Sequence, residues 1–547
     1  MNRLKWLIIF PVLILISCNR MKQADMIVTN AVIYSVDSTF GIYQAFAVDK
    51  GRIVATGSDA YIRSHYLSSN VVDLNGKFVY PGFIDAHCHF YGYGLSLQEA
   101  ELTGTKSFDE VLQRIVDHAK DNPSGWIIGR GWDQNDWDDK SFPDRTELDT
   151  MFPDRPVILF RIDGHAALAN QVAMELAGID TNTIVAGGDF VKQNGRLTGI
   201  LVDNAVDFIK RKMPEPGKTK TIKALLDAQA NCFSVGLTSV HNAGLDANVI
   251  HIMDELNKED SLKMRIYAML NPGKENFEAY MYKGIYKTDQ LHVASIKLYA
   301  DGALGSRGAR LIKPYADDPG NKGLFVSSPE YIREMALLAD SCGYQVNTHC
   351  IGDAANDTIL QIYAGILKGK NDKRWRIEHA QVLAPRDFNM FGEYSIVPSV
   401  QPTHATSDMY WVRERLGDRV KDAYAYKRLL EQLGWIADGS DFPVESINPI
   451  YGFYAAFTRK DRQGYPEGGF QPADALTRKE ALKAMTIWAA KAAFEENEKG
   501  SLEPGKFADF VVLDRDIMKT RPLDAVHASV LYTYLNGKSV YNSKQRR

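Results

Sequence analysis

Between residues 83 and 438 the chain repeats one pattern eight times: a short apolar, β-rich run followed by a helical stretch. The runs are Phe83–His89, Thr238–His241, Arg265–Leu270, Ala294–Tyr299, Tyr344–His349, Trp375–His379, Ile396–Gln401 and Trp435–Asp438. Near-continuous apolar strands separated by helices imply a parallel sheet covered on both faces. Eight such units predict an α/β fold closed into a (β/α)8 TIM-like barrel. The gap from about 95 to 235 is too long for one crossover. It predicts an insertion after barrel strand 1, containing Val157–Phe160 and then Arg161-Ile162-Asp163-Gly164-His165.

The flanks have a different rhythm. Met26–Ser35 alternates apolar and polar residues as a half-buried strand does, and Gln44–Val48, Arg52–Thr56 and Val71–Leu74 continue between Gly and Asp turns. Ala508–Leu513 and Ser529–Leu535 repeat the pattern near the other end, after a Gly- and Pro-rich linker at Gly500–Ala508. These segments predict a small β-sandwich built from both chain ends, 26–80 and 500–547, beside a barrel domain at 81–499. With 547 residues, of which 45% are apolar and 24% charged, the chain has material for one large core and a smaller one. The net charge of -4 and the lack of a basic stripe exclude nucleic acid as a partner class.

Arg3 and Lys5 precede an apolar run from Trp6 to Ile16, followed by Leu15-Ile16-Ser17-Cys18. That run is too short to span a bilayer comfortably, and a charged start, apolar stretch and small residue make a secretory signal. The Leu-Ile-Ser-Cys end resembles a bacterial lipobox. We therefore expect a signal peptide over 1–17, lipid on Cys18, a tether over 18–25, and an exported protein anchored to a bacterial membrane. Asn19 points to the outer membrane or the periplasmic side. Cys88, Cys232, Cys342 and Cys350 form no CxxC pair and are expected as free thiols. Oligomeric state is open, with a homodimer as the candidate.

Polar residues gather where the apolar runs end, the face on which barrel enzymes build their sites. Pro81-Gly82-Phe83-Ile84-Asp85-Ala86-His87-Cys88-His89 closes in two histidines at i and i+2, which share one face of a strand. His349 and His379 end the fifth and sixth runs, and Asp441 follows the eighth in Asp438-Gly439-Ser440-Asp441. Each alone fits a packed histidine or a helix cap; together they suggest a metal site. Lys297 lies inside an apolar run, where an ammonium pays a desolvation cost. It has only donors as an ammonium, so it is either ion-paired, with Asp301 on the same face, or carboxylated by CO2 to an anion able to bridge two metals.

The motifs "VYPGFIDAHCH", "GRGWDQNDW", "FRIDGHAALAN", "IKLYADGALGSRGA", "RIEHAQ", "VQPTH" and "GSDFPV" occur in that order across nearly the whole chain after the leader. They resemble amidohydrolase family 3 of the amidohydrolase superfamily, the branch that includes the N-substituted formamide deformylases. The resemblance implies that His87, His89 and Asp441 bind one divalent metal, that His349 and His379 bind a second, and that carboxylated Lys297 bridges them. It implies that metal-activated water attacks a substrate carbonyl while Asp441 accepts and passes on the proton. Asp163, His165, Arg307 and His404 are the substrate-contact candidates, with Asp163 and His165 closing over the site. One or two ions are expected, zinc foremost, which imidazole and carboxylate donors suit, though iron, manganese or nickel could serve.

Three functional classes follow. The first is hydrolysis of a C–N bond in an amide, N-acyl or N-formyl small molecule. The second is deamination or another superfamily reaction on the same ligands. The third is a non-catalytic lipoprotein that binds a small molecule or metal, which has no use for the acid/base and bridging groups Asp441 and Lys297.

Overall fold

The computed structural model describes residues 21–545. The expected signal peptide and the lipid attachment point Cys18 lie outside the described residues. No helix among the described residues is long and apolar enough to cross a membrane.

The eight apolar runs form eight parallel strands: β1 (Phe83–Cys88), β2 (Leu237–Leu245), β3 (Arg265–Leu270), β4 (Leu291–Tyr299), β5 (Gln345–Cys350), β6 (Arg376–His379), β7 (Val397–Val400) and β8 (Ala437–Asp438). They pair in chain order, with Tyr286–Lys287 added antiparallel to β4. β8 comes back alongside β1, so the sheet rolls into a nearly closed (β/α)8 barrel. The register sets Tyr299 beside His349, and His349 beside Glu378, across three neighbouring strands. Helices cover the outside, many with starts encoded locally. Ser328 caps Pro329–Ser341 with Pro329 in its first turn, and Thr477 with Glu480 forms a reciprocal cap on Arg478–Ala484.

The insertion carries a six-stranded sheet in the order Ala100–Glu101, Ile127–Trp132, Val157–Arg161, Ala166–Ala169, Arg196–Asp203, Gly188–Gln193. Its first three strands are parallel and the rest antiparallel. The stretch expected as insertion up to about 235 gives its last helix, Lys218–Ser234, to the barrel wall. The reason is its apolar stripe of Ala224, Leu225, Ala228, Cys232 and Phe233, buried against Phe90–Ser96 and β2.

The chain ends make two sheets. Arg52–Gly57, Ala45–Asp49, Met26–Thr29 and Val71–Asp73 form one. The other is Lys538–Asn542, Val530–Leu535, Phe510–Leu513, Phe78–Pro81, Val32–Tyr34 and Ile42–Tyr43. Val28, Ile33, Phe46, Val79, Phe510 and Val512 from both sheets share one apolar cluster. Phe78–Pro81 pairs with Phe510–Leu513 and then runs into β1, so the two ends of the chain are joined at the barrel's first strand. Lys22–Gln23 already pairs with Tyr66–Leu67, inside the segment read as a tether. Cys88, Cys232 and Cys350 are buried free thiols and Cys342 is a partly exposed one.

Candidate metal centre

The top of the barrel seam fixes three of the expected ligands. Asp441 N–H donates to His87 O at 2.7 Å and His89 N–H to Phe442 O at 2.8 Å, tying the end of β1 to the loop after β8. Asp85, two residues before His87, accepts from Ser440 Oγ at 2.6 Å and from Ser440 N at 3.0 Å. Gly439 fits because it lacks a side chain: a Cβ there would lie 2.4 Å from His87 N and 2.8 Å from Asp85 Oδ1. Asp441 itself has φ of 62°, a conformation held only where its surroundings over-determine it. The result is a carboxylate 3.2 Å from His89 Nε2 and 3.5 Å from His87 Nε2.

β5 and β6 deliver the next two. His379 lies with its ring centroid 4.9 Å from that of His87 and 4.6 Å from that of His349. Ligand atoms of His87, His379 and Asp441 all fall within 4.8 Å of one another. That trio draws on both of the ligand sets that the resemblance implied. Gln401 Oε1 is 2.7 Å from His379 Nδ1, Ala243 O is 3.1 Å from His89 Nδ1, and Glu378 Oε2 is 2.5 Å from His87 Nδ1. These contacts occupy the outer nitrogens and turn Nε2 of His87 and of His89 toward Asp441. Burial first, then the Lys297 ammonium, lowers His87 below the ordinary imidazole value. Burial first, then neighbouring cations, also drives His349 and His379 well down. Neutral imidazoles are the form that ligates metal. Burial alone would raise Asp441, but the imidazoles beside it, His89 first and then His87 and His379, hold it well below the carboxylate range.

Lys297 Nζ sits 3.3 Å from His87 Nε2 and 4.9 Å from the Tyr299 ring. Among the described residues it has no carboxylate within the 4.0 Å of an ion pair. Asp301, the pairing partner weighed above, instead accepts backbone N–H groups of Ile351, Gly352 and Arg310 at 3.0, 2.8 and 2.8 Å. Burial pushes the Lys297 amine down to about 8.

The donor set fits a divalent metal. It comprises neutral imidazoles and one ionised carboxylate, the chemistry zinc and its neighbours take. Asp441 Oδ1 and His404 Nε2 are buried without a hydrogen-bond partner among the described residues. Buried polar atoms are satisfied as a rule, and a cation between these groups would satisfy them.

A cavity of about 250 Å³ opens over the cluster, lined among others by His89, Lys297, His349, His379, His404 and Asp441. Asp163 and His165 of the insertion line one wall of it. His165 Nδ1 is 2.7 Å from Asp203 Oδ1, and its ring lies tilted with its centroid 4.9 Å from that of His349. Asp203 reaches this position because Gly302 and Gly308 leave room: a Cβ on either would lie 2.4 Å from its Oδ2. Arg307 is not on this wall. It faces a different cleft, with Nη2 2.9 Å from Asp317 Oδ2. The cavity's buried guanidinium is Arg161, held between Asp133 and Asp163. Sequence reading gave no role to Arg161, Asp85, Gln401 or Glu378. The last stands next to His379 in the "RIEHAQ" motif, which was the available signal.

The model of the amidohydrolase family matches residues 70–541. The chain belongs to that family. As an amidohydrolase it is 34% identical over 538 residues to Protein LONG AFTER FAR-RED 3 of Arabidopsis thaliana, covering 95% of this chain and 92% of that one. It is 25% identical over 545 residues to the N-substituted formamide deformylase of Arthrobacter pascens, covering 94% and 98%. A solved metal-dependent hydrolase of unassigned role from Pyrococcus horikoshii OT3 superposes with TM-score 0.74 at 28% identity, over 91% of this chain and 99% of that one. Metal-dependent hydrolase chemistry is thus the family setting of the cluster.

Proposed function

We propose that this amidohydrolase cleaves a C–N bond of an amide, N-acyl or N-formyl small molecule at a binuclear, preferably zinc, centre. The observation that carries the reading is the convergence of His87, His379 and Asp441 ligand atoms within 4.8 Å at the mouth of a barrel of this family. The similarity to a formamide deformylase over 94% of the chain supports the choice of bond. His87, His89 and Asp441 would hold one ion, His349 and His379 the other, and a carboxylated Lys297 would bridge them. Bound there, divalent metal acidifies water and polarises a carbonyl. Asp441, ionised and beside His89, takes the proton from the attacking water and delivers it to the leaving amine. Lys297 would first lose its ammonium proton; the neutral amine would then attack CO2, forming an N–C bond as one C=O π bond opens and losing a second proton, so that a buried cation becomes a carbamate anion able to bridge two metals. His404 and the insertion's Asp163 and His165 contact the substrate across the cavity. We also propose export and lipid attachment at Cys18, supported by Arg3, Lys5 and the apolar run up to Ser17.

The test uses protein lacking residues 1–18, purified without chelator. Elemental analysis should return about two metal ions per chain, and a panel of N-formyl and N-acyl amides should yield free amine. Asp441→Asn should stop turnover while the fold persists. A protein that takes up no zinc, manganese or iron, or an Asp441→Asn variant at full rate, overturns the reading.

A further inference from the structure

Glu378 is a buried charge that the chemistry above does not use. Its side chain is fully buried in the barrel interior. Of its two oxygens, Oε1 has no hydrogen-bond partner among the described residues, and Oε2 meets His87 Nδ1 at 2.5 Å. Burying a carboxylate is expensive, and a pair so deep need not stabilise the fold more than apolar residues of the same volume. A group kept at that cost for one hydrogen bond points to the partner of that bond.

What surrounds Glu378 keeps it in place. Arg376, two residues back on β6, lies 3.8 Å from Oε1. The guanidinium is itself anchored by Ala86 O at 3.1 Å, Ala492 O at 2.7 Å and the Tyr267 ring at 5.3 Å. Arg376 and Glu378 share a strand face through ordinary alternation, whereas His379 reaches the same interior because its φ of 73° breaks that alternation. One short strand therefore delivers both a ligand and the carboxylate that faces a ligand on the opposite wall.

We propose that Glu378 is a positioning residue for the metal centre: its carboxylate fixes His87 as the Nδ1–H tautomer and aims Nε2 at Asp441 and the metal. An ionised carboxylate only accepts, so the shared proton belongs to Nδ1 and Nε2 keeps its lone pair. The same contact locks the ring's rotation and raises its basicity as a ligand. This rests on His87 being a metal ligand, as proposed above.

The experiment measures zinc affinity of metal-free protein lacking residues 1–18 by competition with a chromophoric chelator, so turnover is not the readout. Glu378→Gln, which keeps the shape and removes the charge, should weaken zinc binding by about 10–100-fold. Combined with His87→Ala, the same substitution should have no further effect on affinity, because the residue acts through that ring. If Glu378→Gln does not fold, Glu378→Asp keeps the charge, withdraws it by one methylene and should show the same loss. Wild-type affinity in a folded Glu378→Gln or Glu378→Asp variant overturns the inference, as does an undiminished effect without His87. Wild-type protein that binds no zinc overturns the metal reading itself, and the two failures are thereby told apart.

Discussion

Lys297 is the residue whose charge state decides the site. As an ammonium it would sit desolvated 3.3 Å from His87 Nε2, the atom that should face a metal, with no ion-pair carboxylate to compensate. Burial lowers its pKa to about 8, toward the free amine that the proposed carboxylation by CO2 requires. A carbamate anion would suit a pocket walled by imidazoles that face a metal better than either the ammonium or the free amine. Replacing Lys297 by Met keeps the volume and removes the bridge. Metal content should then fall from about two ions per chain to about one. Turnover should fall by more than the roughly 10–100-fold that loss of an outer hydrogen-bond partner costs. Elemental analysis alongside amine release checks both; two retained ions in Lys297→Met would take the bridge away from this residue.

At the scale of elements, the seam between β1 and β8 does the placing. β8 is only two residues long, and the barrel closes there through Asp85, Ser440 and the backbone of His87 and Asp441. Gly439 allows this approach, and its substitution by Ala drives a methyl into His87 N at 2.4 Å. Backbone cannot swing away as a long side chain can, so Gly439→Ala should cost about 1–3 kcal/mol. It should also loosen metal binding, because Asp441 moves with the loop. A lowered thermal midpoint with lowered metal content is the expected pair of readings, and an unchanged midpoint would refute the packing argument. The strands themselves were legible in the sequence: all eight fall on the apolar runs, because a parallel strand buried on both faces must be apolar almost throughout. His87, His89, His349 and His379 were legible as polar residues ending the runs, Lys297 as one inside a run, and Asp441 as one just after the last run. What alternation could not give was His379 beside Glu378 on one interior face, since φ of 73° there is a tertiary outcome. Nor could it place Arg307, whose loop after β4 turns it to Asp317 and away from the cavity. Asp203 was equally hidden, being brought to His165 by two glycines about a hundred residues further along the chain.

Across the whole molecule, a buried ion pair helps to fasten the unit made from the chain ends to the barrel. Arg265 starts β3, and its guanidinium meets both oxygens of Asp509, at 2.6 and 2.9 Å, and Asn536 Oδ1 at 2.7 Å, with Phe507 stacked 3.8 Å above it. Asp509 immediately precedes the strand Phe510–Leu513, which pairs with Phe78–Pro81, and that strand leads into β1 with its HxH ligands. Burial and contact thus link the metal-bearing strand to the last fifty residues. Removing one member of such a pair leaves the other charged and dry, at a cost of about 3–5 kcal/mol. Asp509→Ala should lower the thermal midpoint by that equivalent and, because β1 is shared, should unfold barrel and terminal sheets in one transition. Calorimetry on the metal-loaded protein reads this directly. Two separated transitions, with the barrel's holding its wild-type temperature, would mean that the chain ends are an appendage; a single lowered transition means that the barrel depends on them to hold its first strand, and with it the first two metal ligands, in place.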